Sequence, residues 1–258
     1  MMRRIGSSLS WSAVSLPIGL LGLWSVTRRW PWPLLLPTQL QLTAWRGLLG
    51  TQGLGPIVLH SLAISTTVSF GASVAGFLTS RSAARHARRQ GLYLLLHLPF
   101  VISPVVLGVS LDYLFLRLGV AERTAGVILG QGIVAYAYAV ILLSGFWNER
   151  IGAFVDSAAT LGATPLQVWT RVLWPIARPL FAICLLQTFL ISWFDYALVL
   201  LIGGGRVATL TTALYQYFAS GDARLAAACA LLLLAPPLLA FAVVRYPQAA
   251  PPAVDGLR

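Results

Sequence analysis

The chain has 258 residues, 58% of them hydrophobic and 10% charged, with a mean hydropathy of +0.80. A soluble domain carries about 25% charged residues, so this chain lacks the polar groups for a water-facing surface and reads as an integral membrane protein. The formal charge is +11, all 18 basic residues are arginines, and the absence of lysine excludes a Walker A phosphate loop, whose lysine reaches the phosphates.

The arginines fall in short gaps between apolar runs, a pattern of membrane topology rather than of nucleic-acid binding. Six runs approach the ~20 residues needed to span a bilayer as helix. They lie near 8–26, 54–78, 91–116, 124–146, 180–202 and 225–245. Arg3 and Arg4 precede the first, no Ala-x-Ala site follows, and Arg28 and Arg29 come next, so it reads as an uncleaved span. The next stretch holds Trp30-Pro31-Trp32-Pro33. It then runs from Thr38 to Leu49, where Leu42, Trp45 and Leu49 share one helical face. An interfacial helix and a loop packed on the bundle both fit.

In the second run Ser61, Ser65, Ser69 and Ser73 recur every four residues, a small-residue ridge where another helix can approach, and Gly126 and Gly130 repeat the spacing in the fourth. The gap 79–90 holds Arg81, Arg85, His86, Arg88 and Arg89. This is the strongest cytoplasmic mark, and it places both termini inside. Pro104 and Pro236-Pro237 should bend or interrupt their runs. Asp112 is expected to reach the interface, and His60 and His97 to be packed or interfacial, since no metal-ligand spacing surrounds them. Cys184 and Cys229 sit inside apolar runs with no disulfide framework.

The interval 147–179 is too long and too polar for a minimal turn. A first short helix over about 151–161 should stop at Gly162, which tolerates the left-handed cap. A second opens with Thr164 as N-cap and Pro165 at the first position, and Gln167 completes a Thr-x-x-Gln capping box. Leu166, Trp169, Val172 and Leu173 then share one apolar face, and Pro175 and Pro179 end the helix before the fifth span. The expected product is a rigid helix-turn-helix with an apolar face available for docking.

This segment resembles the EAA loop of permease subunits of binding-protein-dependent ABC importers, the type I or MetI-like membrane domain. The family pattern is E-A-A, three residues, G, nine residues, I-x-L-P. Here Asp156-Ser157-Ala158 stands at E-A-A, Gly162 follows after three residues, Val172 after nine more, and Trp174-Pro175 closes it. Gly, the second Ala and Pro match; Asp for Glu, Ser for Ala, Val for Ile and Trp for Leu depart.

The resemblance implies an all-α, polytopic membrane helix bundle of about six transmembrane helices. Residues 1–53 would be the first span with an extracytoplasmic segment, 54–245 the permease core with its coupling loop, and 246–258 a cytoplasmic tail. It further implies a multi-pass subunit of a bacterial-type cytoplasmic (inner) membrane, with ATPase-coupling residues Asp156, Ser157, Ala158, Gly162, Thr164, Pro165, Leu166, Trp169, Val172 and Pro175. The implied partners are a cytoplasmic ABC ATPase, a second permease subunit, an extracytoplasmic solute-binding protein and the lipid bilayer, with no nucleic acid. No cofactor is expected on this chain, and ATP and Mg belong to the ATPase. The alternative is a secondary transporter or channel working without an ATPase.

In the fifth run Thr188, Ser192 and Asp195 form one narrow polar stripe at i, i+4 and i+7. An intramembrane ionisable group is a functional candidate. The stripe fits a translocation pathway or an inter-helix hydrogen-bond network. Gly203-Gly204-Gly205 suggests a flexible outer turn, and the helical segment expected after it resembles the branch handling thiamine, polyamines or ferric iron.

Overall fold

The computed structural model describes residues 16–29, 39–41, 45, 54–86 and 89–245. Among them the ordered elements are helices apart from one two-stranded antiparallel ribbon. In chain order they are α1 (Leu16–Ser25), β1 (Thr27–Arg29), β2 (Gln39–Leu40), α2 (Leu54–Arg85), α3 (Arg89–Val101) and α4 (Pro104–Leu118). They continue with α5 (Thr124–Ser144), α6 (Glu149–Thr160), α7 (Pro165–Trp193), α8 (Ala197–Gly203), α9 (Leu210–Ala219) and α10 (Ala223–Arg245). The Trp-Pro repeat, the start of the first expected span, Arg88 and the 246–258 tail lie outside the described residues.

Four of these helices are long and apolar enough to cross a membrane: α2, α5, α7 and the Ala223–Ala240 part of α10. The expected single span over 91–116 is a broken pair instead. α3 ends at Val101, α4 begins at Pro104, and the two are bent by 101°. The residue before a proline avoids the α region, and Ser103 accordingly adopts φ −55°, ψ 134°. The described residues thus supply four continuous spans and one broken one, against about six expected. The chain divides into two compact units, one comprising 1–59 with 209–258 and the other 60–208.

In the first unit β1 and β2 take up Gln39 and Leu40, part of the stretch where an interfacial helix was one of two readings. The indole N–H of Trp45 donates to Ser25 Oγ at 3.2 Å. Thr209 caps α9 with a reciprocal box to Thr212, and α10 packs on α9 and runs through Pro236 and Pro237 without ending there.

The second unit holds two apolar clusters. One gathers Ile64, Val68, Phe115, Val127, Leu198 and Ile202 around α8. The other gathers Phe77, Leu143, Ile151, Val168, Leu173 and Phe181 beneath the 147–179 segment. The small-residue positions permit this closeness. A Cβ on Gly76 would stand 2.5 Å from Ala139 Cβ, and one on Gly130 would collide with the Ile202 side chain. The outer surfaces of α3 and α4 stay apolar, with Leu94 71% and Val101 78% exposed, as a lipid-embedded chain requires. α2 also continues through Ser80 to Arg85, so Arg81 and Arg85 lie on its last turns rather than in a loop.

Candidate functional site

The 147–179 segment is built as two capped helix ends facing each other across a short turn. Asn148 caps α6, its side chain accepting from the Ile151 N–H at 3.1 Å. The helix closes in a Schellman motif. The Gly162 N–H donates to Ala159 O at 3.0 Å and the Ala163 N–H to Ala158 O at 3.1 Å. Gly162 holds φ +78°, where an L side chain is strained. α7 then opens with the expected capping box. The Thr164 N–H donates to Gln167 Oε1 at 2.9 Å, and the Gln167 N–H donates to Thr164 Oγ1 at 3.4 Å. Pro165 occupies the first turn, where no N–H is needed.

Two expectations change here. Pro175 and Pro179 do not end a short helix, because α7 runs on from Pro165 to Trp193 as one span. A π-helical turn over Val168–Leu173 absorbs the disruption, and the Trp174 N–H reaches back five residues to Trp169 O. Pro175 then sits at the start of the following α-helical stretch, where its missing donor costs little.

The second change concerns the apolar face, which is split. Leu173 is buried, Trp169 and Val172 are half-buried, and Leu166 is 73% exposed beside Leu161 at 87%. Of the motif residues, Asp156 and Ser157 face outward on α6, while Ala158 packs on the second cluster.

An aromatic knot fixes this turn to the bundle. The Phe77 ring meets Trp169 at 5.5 Å and Phe181 at 5.7 Å, and Trp147 stacks on Phe77 at 6.0 Å. Such pairs contribute about 0.5–1.5 kcal/mol each beyond their buried area. The turn is therefore anchored at its base by aromatic packing and apolar at its tip.

The α7 stripe is found in two parts. Thr188 and Ser192 are buried and knit α7 to the serine ridge of α2. The Thr188 hydroxyl lies 3.1 Å from those of Ser73 and Ser69, and the Ser192 hydroxyl donates to Gln131 Oε1 at 2.7 Å and lies 3.2 Å from the Ser65 hydroxyl. This is the inter-helix network. Asp195 is placed differently, in the break between α7 and α8. Gln131 Nε2 donates to its Oδ2 at 2.9 Å, and the Leu198 N–H donates to its Oδ1 at 3.4 Å.

Asp195 and Gln131 line a cavity of about 360 Å³, walled also by Phe100, Pro104, Leu190 and Phe194. Two helix breaks, α3–α4 and α7–α8, thus meet at one cavity. Interrupted helices of this kind are tolerated in membranes where they are buried in protein or line a cavity. Gln131 was not singled out from sequence; a lone amide in the 21-residue apolar α5 was its signal. Of the remaining polar candidates, His60 bridges Ala208 O at 3.0 Å and Thr124 Oγ1 at 3.2 Å, and Asp112 is half-buried on α4. No group of three potential metal ligands occurs among the described residues.

The fold is that of ABC importer permeases. A bacterial ABC transporter involved in import of the acidic polysaccharide alginate matches with a TM-score of 0.66 at 18% identity, over 95% of this chain and 94% of that one. The inward-facing MetNI methionine ABC transporter matches with a TM-score of 0.54 at 15% identity, over 78% and 99%. By sequence the chain is a relative of transport-system permeases. The molybdenum transport system permease protein ModB of Mycobacterium tuberculosis is 40% identical over 97 residues, 33% of this chain and 37% of that protein. The chain thus aligns with little more than a third of that relative's length. No protein-family model matches. The chain is accordingly a multi-pass membrane protein related to ABC-type permeases, with the MetI-like fold.

Proposed function

We propose that the chain is the transmembrane subunit of an ATP-driven ABC importer. In this reading it forms the solute pathway, and the turn between α6 and α7 is the coupling element that docks on a cytoplasmic ATPase. One observation carries the reading. The turn is capped on both sides, presents Leu161 and Leu166 to the outside, and is seated on the Phe77–Trp147–Trp169 knot.

Transmission follows from continuity. α7 begins at the docking turn and ends beside Asp195, so displacing the turn displaces the cavity wall. ATP and Mg are held by the ATPase, and this chain binds neither. A second permease subunit, identical or related, completes the pathway, and an extracytoplasmic binding protein delivers the solute. The protein resides in a bacterial-type inner membrane with both termini cytoplasmic. The differential energy between two arrangements of the subunits comes from nucleotide-driven closure of the ATPases.

The test is co-purification. The tagged full chain, solubilised from its native membranes, carries a Walker A protein identified by mass spectrometry. Leu166→Asp and Leu161→Asp release that protein while the chain's melting temperature holds. Retention of the ATPase by both variants refutes docking at this turn.

A further inference from the structure

The junction between the end of α2 and the start of α6 holds a cavity of about 240 Å³. Arg81 and Arg85 line it from α2, and Trp147, Glu149, Ile151 and Val155 from the first turns of α6 and the chain entering it. Ile151 is buried and Trp147 and Val155 are half-buried, whereas Arg85 and Glu149 are exposed, so the cavity has an apolar floor and a wet side. The Arg81 guanidinium lies 5.5 Å from the Trp147 ring centroid, a contact that positions the cation without neutralising it. Among the described residues no carboxylate forms an ion pair with Arg81 or Arg85, and Glu149 lines the cavity without pairing with either. α2 has 32 residues and rises ~48 Å, against a hydrocarbon core of ~30 Å, so charges on its last turns stand at headgroup level. Tryptophan favours the same layer.

We infer that this cavity binds the headgroup of an anionic phospholipid, its phosphodiester held by Arg81 and Arg85 beside Trp147. Basic pockets between membrane helices recognise such headgroups. A guanidinium presents paired N–H donors that match two phosphate oxygens. Two guanidiniums against one carboxylate leave one net positive charge on the lining, which a single phosphodiester charge balances. A free phosphate dianion brings a second charge against Glu149, and a zwitterionic headgroup brings an ammonium against the arginines. The volume takes a headgroup, while the acyl chains stay in the bilayer. The site requires only that α2 spans the membrane, and it is independent of the ATPase docking proposed above.

The test uses the full chain in neutral detergent, titrated with phosphatidylglycerol, phosphatidylcholine or inorganic phosphate and followed by native mass spectrometry and melting temperature. Phosphatidylglycerol should bind and raise the melting temperature, and the other two should not. Arg81→Gln and Arg85→Gln should each weaken its binding about fivefold, whereas Arg81→Lys and Arg85→Lys, which keep the charge, should lose less. Glu149→Gln should not weaken it. Arg81→Gln also loses the contact with Trp147, so Arg85→Gln, at an exposed position, separates binding from folding. A phosphatidylglycerol with a photoreactive headgroup should mark the peptide 147–155. Unchanged affinity in Arg85→Gln, or a mark elsewhere, overturns the site. Stabilisation by inorganic phosphate equal to that by phosphatidylglycerol identifies a free-anion site and overturns the lipid assignment. Loss of a co-purified ATPase at unchanged lipid affinity assigns the arginines to a protein partner and overturns it as well.

Discussion

Trp147 donates its indole N–H to the hydroxyl of Ser80 over 2.8 Å, and the Arg81 guanidinium lies 5.5 Å from the same ring. This pair ties the chain entering the 147–179 segment to the end of α2. Trp147→Phe keeps most of the ring and leaves the buried Ser80 without that donor. It should destabilise the chain by about 1 kcal/mol, read as a lowered melting temperature, and Ser80→Ala added to it should cost less than the two single changes summed. Strict additivity would show that the bond does not contribute.

The turn itself depends on its caps. Thr164→Ala removes the side-chain acceptor for the Gln167 N–H and should cost about 1 kcal/mol. Gly162→Ala forces a Cβ into φ +78° and should cost a further ~1–2 kcal/mol, although no atom stands within 4 Å of the added group. Hydrogen exchange over 160–170 is the direct measurement. Faster exchange confined to this segment is expected, and unchanged protection in both variants would contradict it.

The polar seam between α2, α5 and α7 should behave as a coupled unit. In a double-mutant cycle of Ser192→Ala with Gln131→Leu, the coupling energy should fall near 0.6 kcal/mol and below ~1.7 kcal/mol, the range for hydrogen bonds between membrane helices. A coupling near zero would mean that the 2.7 Å contact orients groups without stabilising them.

Gly76 sets the closeness of α2 and α5. Its absent Cβ would stand 2.5 Å from Ala139 Cβ and 3.1 Å from the Ala139 backbone carbon, so relief requires backbone movement. Gly76→Ala should destabilise by about 1–3 kcal/mol, whereas Gly71→Ala on the same helix meets nothing within 4 Å and should be near neutral. Unfolding in detergent compares the two directly.

What the sequence made legible was local or periodic. The Thr164–Gln167 box and the Gly162 stop depend on residues within one turn, and both form as expected. The serine ridge was visible as a ridge, but its partner was not. Ser73 and Thr188 are 115 positions apart, and periodicity carries no information on which stripe meets which. Pro104 marked a break but not its 101° angle. Pro175 misled because helix-stop rules assume α geometry and the π turn before it removes the conflict, whereas Pro179 sits inside the α-helical stretch that follows. Gln131 escaped notice because one amide disturbs no pattern.

That π turn inserts one residue of phase between the tip of the α6–α7 turn and the membrane span. A helix advances about 100° per residue, so Leu166 and the stripe of Thr188 and Ser192 point in directions that an uninterrupted helix would not give them. Deleting a single residue between Val168 and Leu173 would rotate the tip against the span like a gear slipped by one tooth, with every local contact type still available on each side. The chain would keep its tip and its seam but misalign them.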